Sequence, residues 1–223
     1  MDSIVFDAQL AAKIDHTLLK PDATAAQIDR LCKEAVQYGF AAVCVPPYYV
    51  SRAAKNLQPT LVKVATVIGF PLGYQFSEVK LQEIDMAARL GAAEMDMVVN
   101  IAAVKDGEWE LVDTEIRVAA ALTHQHKGIL KVIFETAILT PDEIISLCRI
   151  CANAQVDFVK TSTGFTGGGA TPEIVQLMRQ SLPNNIKVKA SGGIRTRQDA
   201  LAMINAGADR LGCSASVQIV EAV

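Results

Sequence analysis

The sequence predicts an α/β chain folded as one (β/α)8 TIM barrel over residues 1–223, and three observations carry that expectation. Helical and β-rich runs alternate along the whole chain without a linker or a shift in composition. Eight short strand candidates can be counted, and the 223 residues lie between the roughly 200 that such a barrel needs and its usual size of about 250. An open doubly wound sheet is the alternative. Its Gly-x-Gly-x-x-Gly sign after the first strand is absent, because Leu18-Leu-Lys-Pro21 stands there instead.

The strand candidates are Lys13–Leu18, Ala41–Val45, Val62–Ile68, Glu94–Val99, Leu130–Glu135, Phe158–Ser162, Ile186–Ala190 and Arg210–Cys213. After the first of them, Thr24 and Gln27 form a capping pair ahead of Ile28, Leu31, Cys32, Ala35 and Val36, which starts a helix. That helix ends in Tyr38-Gly39, where glycine supplies a left-handed cap and feeds the second strand. Leu90-Gly91 and Ala206-Gly207 end helices in the same way before the fourth and eighth strands. Thr140-Pro141-Asp-Glu143 repeats the capping pair with proline in the first turn, and Thr171-Pro172-Glu173 opens a further helix before the seventh strand.

A hydrophobic content of 51%, charged content of 20% and net charge of −3 suit one substantial core and exclude a disordered chain. With 21 basic residues against 24 acidic and no long run of either sign, a nucleic-acid or membrane surface is not expected; a small-molecule ligand is. The amino-terminal Met-Asp-Ser-Ile-Val-Phe-Asp is not a basic leader, and no stretch approaches about 18 uninterrupted apolar residues, so a cytoplasmic protein is expected. The odd, scattered set Cys32, Cys44, Cys148, Cys151 and Cys213 reads as free thiols. Cys148-x-x-Cys151 sits in a helical run with no second pair or histidine at zinc spacing, which favours a helix face over a metal site. Cys44, at the mouth end of the second strand, is either an accessible thiol or core packing. His124 and His126 read as an exposed stretch between a helix and a strand. His16 is kept in view because it adjoins Asp15.

In a barrel the C-terminal ends of all strands share one mouth, so Asp15, Asp96, Lys131, Glu135, Lys160 and Lys189 become neighbours. Alternation places Glu94, Asp96 and Val98 on one face of the fourth strand, and Lys131, Ile133 and Glu135 on one face of the fifth. Lys160 and Lys189 each pass through an apolar run into a small-residue turn, where an ammonium loses hydration and tends to shed its proton. At about 6 Å apart and an effective dielectric near 20, the two would repel by about 3 kcal/mol, roughly two pKa units. A lysine so depressed is a nucleophile. The bland alternative is that each lysine only pairs with Asp96, Asp15 or Glu135 to hold the barrel. Lys187 shares the face of Lys189 one layer deeper and reads as structural. Three glycine- and serine-rich turns, around Gly164 and Gly167–Gly169, at Ser191-Gly192-Gly193, and at Gly212-Cys-Ser214-Ala-Ser216, follow the last three strands and suit a phosphate. Arg195 adds charge there or caps a helix.

Phe158-Val-Lys160-Thr-Ser-Thr-Gly164-Phe and Val188-Lys189-Ala-Ser-Gly-Gly193-Ile-Arg195 resemble the deoxyribose-phosphate aldolase family of class I aldolases on (β/α)8 barrels. Ile14-Asp-His-Thr-Leu-Leu-Lys20, Val43-Cys-Val-Pro46, Gly69-Phe-Pro-Leu-Gly73, Glu94-Met-Asp96-Met-Val-Val-Asn100 and Lys131-Val-Ile-Phe-Glu135-Thr extend the resemblance over nearly the whole chain. The resemblance implies Lys160 as Schiff-base lysine, Lys189 as the neighbour that depresses its pKa, and Asp96 as the carboxylate that moves protons through a bound water. Asp15 and Lys131 would support that network, and Gly164, Gly192, Gly193 and Ser214 would bind the substrate phosphate. It further implies reversible cleavage of 2-deoxy-D-ribose 5-phosphate to D-glyceraldehyde 3-phosphate and acetaldehyde in deoxyribose catabolism, with no metal and no cofactor, by a homodimer. Phe165 stands where some members carry lysine, Ala215 replaces a second serine, and Val223 ends the chain without the tyrosine that some members use. On residues alone, a barrel using a dihydroxyacetone donor and a barrel that binds a sugar phosphate without turnover stay open.

Overall fold

Eight parallel strands close on themselves in a computed structural model that describes residues 5–221. The first four residues of the amino-terminal segment read above, and the chain end at Val223, lie outside the described residues. The strands are β1 (Ile14–Thr17), β2 (Ala42–Val45), β3 (Lys63–Ile68), β4 (Glu94–Val98), β5 (Ile129–Ile133), β6 (Phe158–Lys160), β7 (Lys187–Ser191) and β8 (Arg210–Cys213). Each pairs with the next in sequence, and β8 pairs with β1. The helices are α1 (Ala8–Ala11), α2 (Ala25–Tyr38), α3 (Val50–Leu57), α4 (Ser77–Arg89), α5 (Ile101–Asp106), α6 (Trp109–Gln125), α7 (Pro141–Asn153), α8 (Pro172–Gln180), α9 (Arg197–Asn205) and α10 (Ser216–Glu221).

All eight expected strands form, with ends that move by one or two residues. The largest difference is in β5, expected to reach Glu135. It stops at Ile133 because Glu135 takes a left-handed conformation at φ 61°, which a continuing strand cannot hold. The helix starts follow the capping chemistry. Thr24 with Gln27, and Thr140 with Glu143, make complete capping boxes, while the Thr171 hydroxyl accepts the Ile174 N–H. Gly39 is the left-handed cap of α2, but α4 and α9 end on right-handed Leu90 and Ala206, with the left-handed Gly91 and Gly207 one residue later.

Parallel strands covered by helices read as near-continuous apolar runs, and every residue of β2 and β4 is buried. The outward set, including Val43, Val45, Met95, Met97, Leu130, Val132, Val188 and Leu211, packs under the helices as the main core. The inward set is of two kinds. Ala42, Cys44, Ala65 and Val67 of β2 and β3 form a small apolar patch, whereas the other strands send charge inward. The register puts Asp96 opposite Lys131, Lys160 opposite Lys189, and Lys189 opposite Arg210.

One ion pair outside the barrel holds the strand that carries Asp96. The Lys80 ammonium of α4, fully buried, donates to the Val98 carbonyl at 2.9 Å and to Glu115 Oε1 of α6 at 2.8 Å, while Ser77 Oγ donates to Glu115 Oε2 at 2.8 Å. Breaking such a pair strands a charge, whereas replacing both partners by apolar groups is tolerated. Glu115→Ala should therefore destabilise the fold by about 3–5 kcal/mol in chemical denaturation, and Lys80→Met combined with Glu115→Leu by clearly less.

Candidate active site

The barrel interior is closed below by ions and opens above into a cleft of about 750 Å³. Lys160, at the end of β6, is the floor of that cleft; its side chain is 5% exposed. Asp15, Asp96, Lys131 and Lys189 lie beneath, with side chains at 0% exposure. The register explains the stacking, because these residues occupy facing positions on neighbouring strands of one closed sheet.

Asp96 organises the cluster. Its Oδ1 accepts from Lys131 Nζ at 2.8 Å, and its Oδ2 accepts from both Lys160 and Lys189, each at 2.8 Å. The two lysine nitrogens are therefore no more than twice 2.8 Å apart, close to the separation assumed from sequence. Lys189 also donates to Asp15 Oδ2. Lys131 reaches Glu94 at 2.6 Å and Asp15 at 3.8 Å, and Arg210 bridges Asp15 at 2.7 Å and Glu94 at 3.2 Å.

The lysines titrate differently because they share the carboxylates unequally. Burial pushes Lys160 down, Asp96 pulls it back, and Lys189 pushes it down again; the net shift is downward. Burial also disfavours charge on Lys189, but Asp15 and Asp96 overcome it and hold that ammonium above its ordinary range. Lys131 is raised too, burial being outweighed by Asp96 and Glu94. Burial works against ionised Asp96, yet the three lysines keep its carboxyl well below the usual range. Lys160 is thus the cation of the cluster that both touches the cleft and inclines toward the neutral amine.

The turns above take the places expected for a phosphate. Gly164, Gly192, Gly193 and Ser214 all line the cleft, and the three glycines have φ between 80° and 85°. The loops after β6 and β7 interlock through backbone. A Cβ on Gly169 would lie 2.5 Å from the Gly192 carbonyl oxygen, and Ala170 N–H donates to the carbonyls of Ser191 and Gly192. Exposed Lys20 and Arg195 both line the cleft, so an anion there meets positive charge. Phe165 is a half-exposed wall, edge-on to Phe70 at 5.1 Å between ring centroids. Ala215 packs against the core and is not part of the lining.

Of the expected cluster members, Glu135 alone is displaced. Glu135, two residues beyond the end of β5, is fully buried but does not join the lysines; its Oε2 accepts the N–H and hydroxyl of Thr163 instead. Lys187 is exposed at the far end of the barrel, 5.6 Å from the centre of the Phe158 ring. His16 faces away from the site and meets Glu34 of α2 at 2.9 Å. His124 and His126 bond Asp157 and Asp85. Glu94 and Arg210 were missed as site residues, although Glu94 shares a face with Asp96 and the same alternation in β8 puts Arg210 with Gly212. Among the described residues no group of three or more His, Cys, Asp or Glu is placed to hold a metal ion.

Cys44 is not an accessible thiol. It is fully buried, and burial, reinforced by Asp96, pushes it up to about 11. All five cysteines are buried and free. A thiol-specific chromogenic reagent should therefore find less than one reactive thiol per native chain at neutral pH and five after denaturation.

A sequence profile described as DeoC/LacD family aldolase matches residues 9–216. The chain is 54% identical over 212 residues to the deoxyribose-phosphate aldolase of Geobacillus sp. (strain WCH70), covering 95% of each. It is 52% identical to that of Thermoanaerobacter sp. (strain X514), covering 95% of this chain and 96% of the relative. The solved structure of tetrameric deoxyribose phosphate aldolase from Aeropyrum pernix superposes with a TM-score of 0.90 at 35% identity, over 95% of this chain and 89% of that one. Among the described residues no helix is long and apolar enough to cross a membrane. With a closed eight-stranded barrel, a depressed lysine at the floor of its mouth and these relatives along almost its full length, the chain belongs to the DeoC/LacD family of aldolases.

Proposed function

We propose that the protein is a class I aldolase that reversibly cleaves 2-deoxy-D-ribose 5-phosphate to D-glyceraldehyde 3-phosphate and acetaldehyde, with Lys160 as nucleophile. The observation that carries the reading is that Lys160 alone joins the buried ion cluster to the cleft, while the net effect of its surroundings lowers its proton affinity. The deoxyribose-phosphate aldolases it resembles supply the substrate class.

The neutral amine of Lys160 adds to the C1 aldehyde, and loss of water leaves an iminium. As the C2–C3 bond breaks, its electron pair flows to the iminium nitrogen and the C3 hydroxyl loses its proton to become the aldehyde of glyceraldehyde 3-phosphate. The enamine left on Lys160 takes a proton at C2, and hydrolysis releases acetaldehyde. Lys189, held as an ammonium by Asp15 and Asp96, keeps a permanent positive charge beside the nucleophile. Asp96, bonded to both lysines, moves protons to and from the reacting atoms through a bound water. Asp15 and Lys131 fix Lys189 and Asp96 in place.

In the cleft the phosphate lies against Gly164, Gly192, Gly193 and Ser214, whose backbone is open to close approach, with Lys20 and Arg195 supplying charge. Phe165 presents no charge to the cleft, so recognition of the phosphate rests on backbone, on Ser214 and on those two side chains.

Incubation with acetaldehyde and sodium borohydride should place one ethyl group on Lys160, identified by peptide mass mapping; the absence of any adduct would sink the nucleophile assignment. Lys160→Leu should retain the native circular dichroism spectrum and lose roughly 10⁴-fold or more in kcat for deoxyribose 5-phosphate cleavage. Lys189→Leu removes a neighbouring cation, so the residual pH–rate profile should move to higher pH.

A further inference from the structure

Seven ionisable side chains form one linked cluster from the cleft floor downward, and their charges do not balance when all are ionised. Lys131, Lys160, Lys189 and Arg210 face Asp15, Glu94 and Asp96, linked throughout by contacts of 3.8 Å or less. β2 adds only Cys44, whose thiol stays uncharged, and β3 adds Ala65 and Val67. Glu135, beyond the end of β5, is turned to Thr163, and Lys187 of β7 is out in solvent below. The cluster therefore carries one surplus positive charge with Lys160 protonated and none with Lys160 neutral.

The proton to be lost is selected by the contacts. Arg210 does not deprotonate in proteins. Lys131 has three carboxylates within reach and Lys189 has two, whereas Lys160 has a single oxygen that it shares with Lys189. Neutralising Lys160 balances the cluster at the smallest loss of ion pairing. Arg210 and Glu94 take part in this balance without lining the cleft.

We propose that Arg210 and Glu94 set the proton affinity of Lys160 from the far end of the cluster, Arg210 as the fixed surplus cation that makes the neutral amine the balanced state and Glu94 as the carboxylate that limits the effect. They touch no substrate and act through Asp15, Lys131, Lys189 and Asp96. The inference rests on Lys160 being the amine nucleophile of the proposed function.

The test is the pH dependence of Lys160 labelling by acetaldehyde and borohydride, read by peptide mass mapping in the wild type and four variants. Arg210 lies two strands from Lys160, about 10 Å at sheet spacing, so at an effective dielectric near 20 removal of its charge should shift the midpoint by about one pH unit. Arg210→Gln should move the midpoint up, Glu94→Gln should move it down, and Arg210→Lys should leave it in place. Arg210→Gln combined with Glu94→Gln restores the wild-type balance and should bring the midpoint back toward the wild-type value. Shifts of one sign in both single variants, or no shift in the folded ones, would overturn the proposal, because a structural disturbance has no reason to follow the sign of the charge removed. If one single variant does not fold, the other and the double variant decide. Labelling of wild-type Lys160 without cleavage of deoxyribose 5-phosphate would sink the substrate and leave this inference standing on its own midpoints.

Discussion

A single carboxylate oxygen, Oδ2 of Asp96, accepts from two lysines at once, and the chemistry of the barrel depends on that sharing. An isolated buried ammonium would shed its proton or unfold its surroundings, and a well-paired one would keep its proton too firmly to react. Here Lys189 is given a second carboxylate, Asp15, and Lys160 is not. The same chemical group thereby becomes a fixed cation on one strand and a latent amine on the next. The closed sheet makes this arrangement repeatable, since the register of β6 against β7 brings the two side chains face to face.

The sequence exposed the site where an expensive residue stood in a cheap context. Lys160 after Phe158-Val159, and Lys189 after Val188, could be picked out because charge in an apolar strand requires compensation, and period-two alternation then gathered Asp96 and Lys131. The strands and their order were legible for a similar reason, through capping residues and apolar runs. Arg210 and Glu94 were harder to read. Arg210 is the first residue of a four-residue strand, where a charged residue looks like ordinary solvated termination, and only the closure of β8 onto β1 brings it to Asp15. Glu135 misled in the opposite direction. Its alternation with Lys131 predicted membership of the cluster, but the left-handed turn at its own α-carbon swings it to Thr163. Alternation holds only while the strand does.

The interior is graded from end to end. Below, around Arg210, the side chains are ionic and lie near the solvent-exposed Lys187. In the middle the ion-paired side chains of Asp15, Asp96, Lys131 and Lys189 are fully buried. Above, the cleft is bounded by glycine backbone, by two exposed cations and by Phe165, which packs edge-on against Phe70. Charge at the nucleophile and shape at the substrate are therefore controlled by different residues at different depths.

The interlock between the loops after β6 and β7 has an evolutionary consequence. Because Gly169 and Gly192 meet backbone to backbone, neither position can acquire a side chain unless the other loop moves with it. The two loops are inherited as one unit, and single-step searches for variants with altered preference at the phosphate end will find them frozen. Phe165 stands on the same loop as Gly169, but it meets the cleft with a half-exposed side chain, so its size can change without displacing the backbone contact. Change in substrate range is therefore channelled to side chains such as Phe165, while the Gly169–Gly192 contact holds the backbone around them.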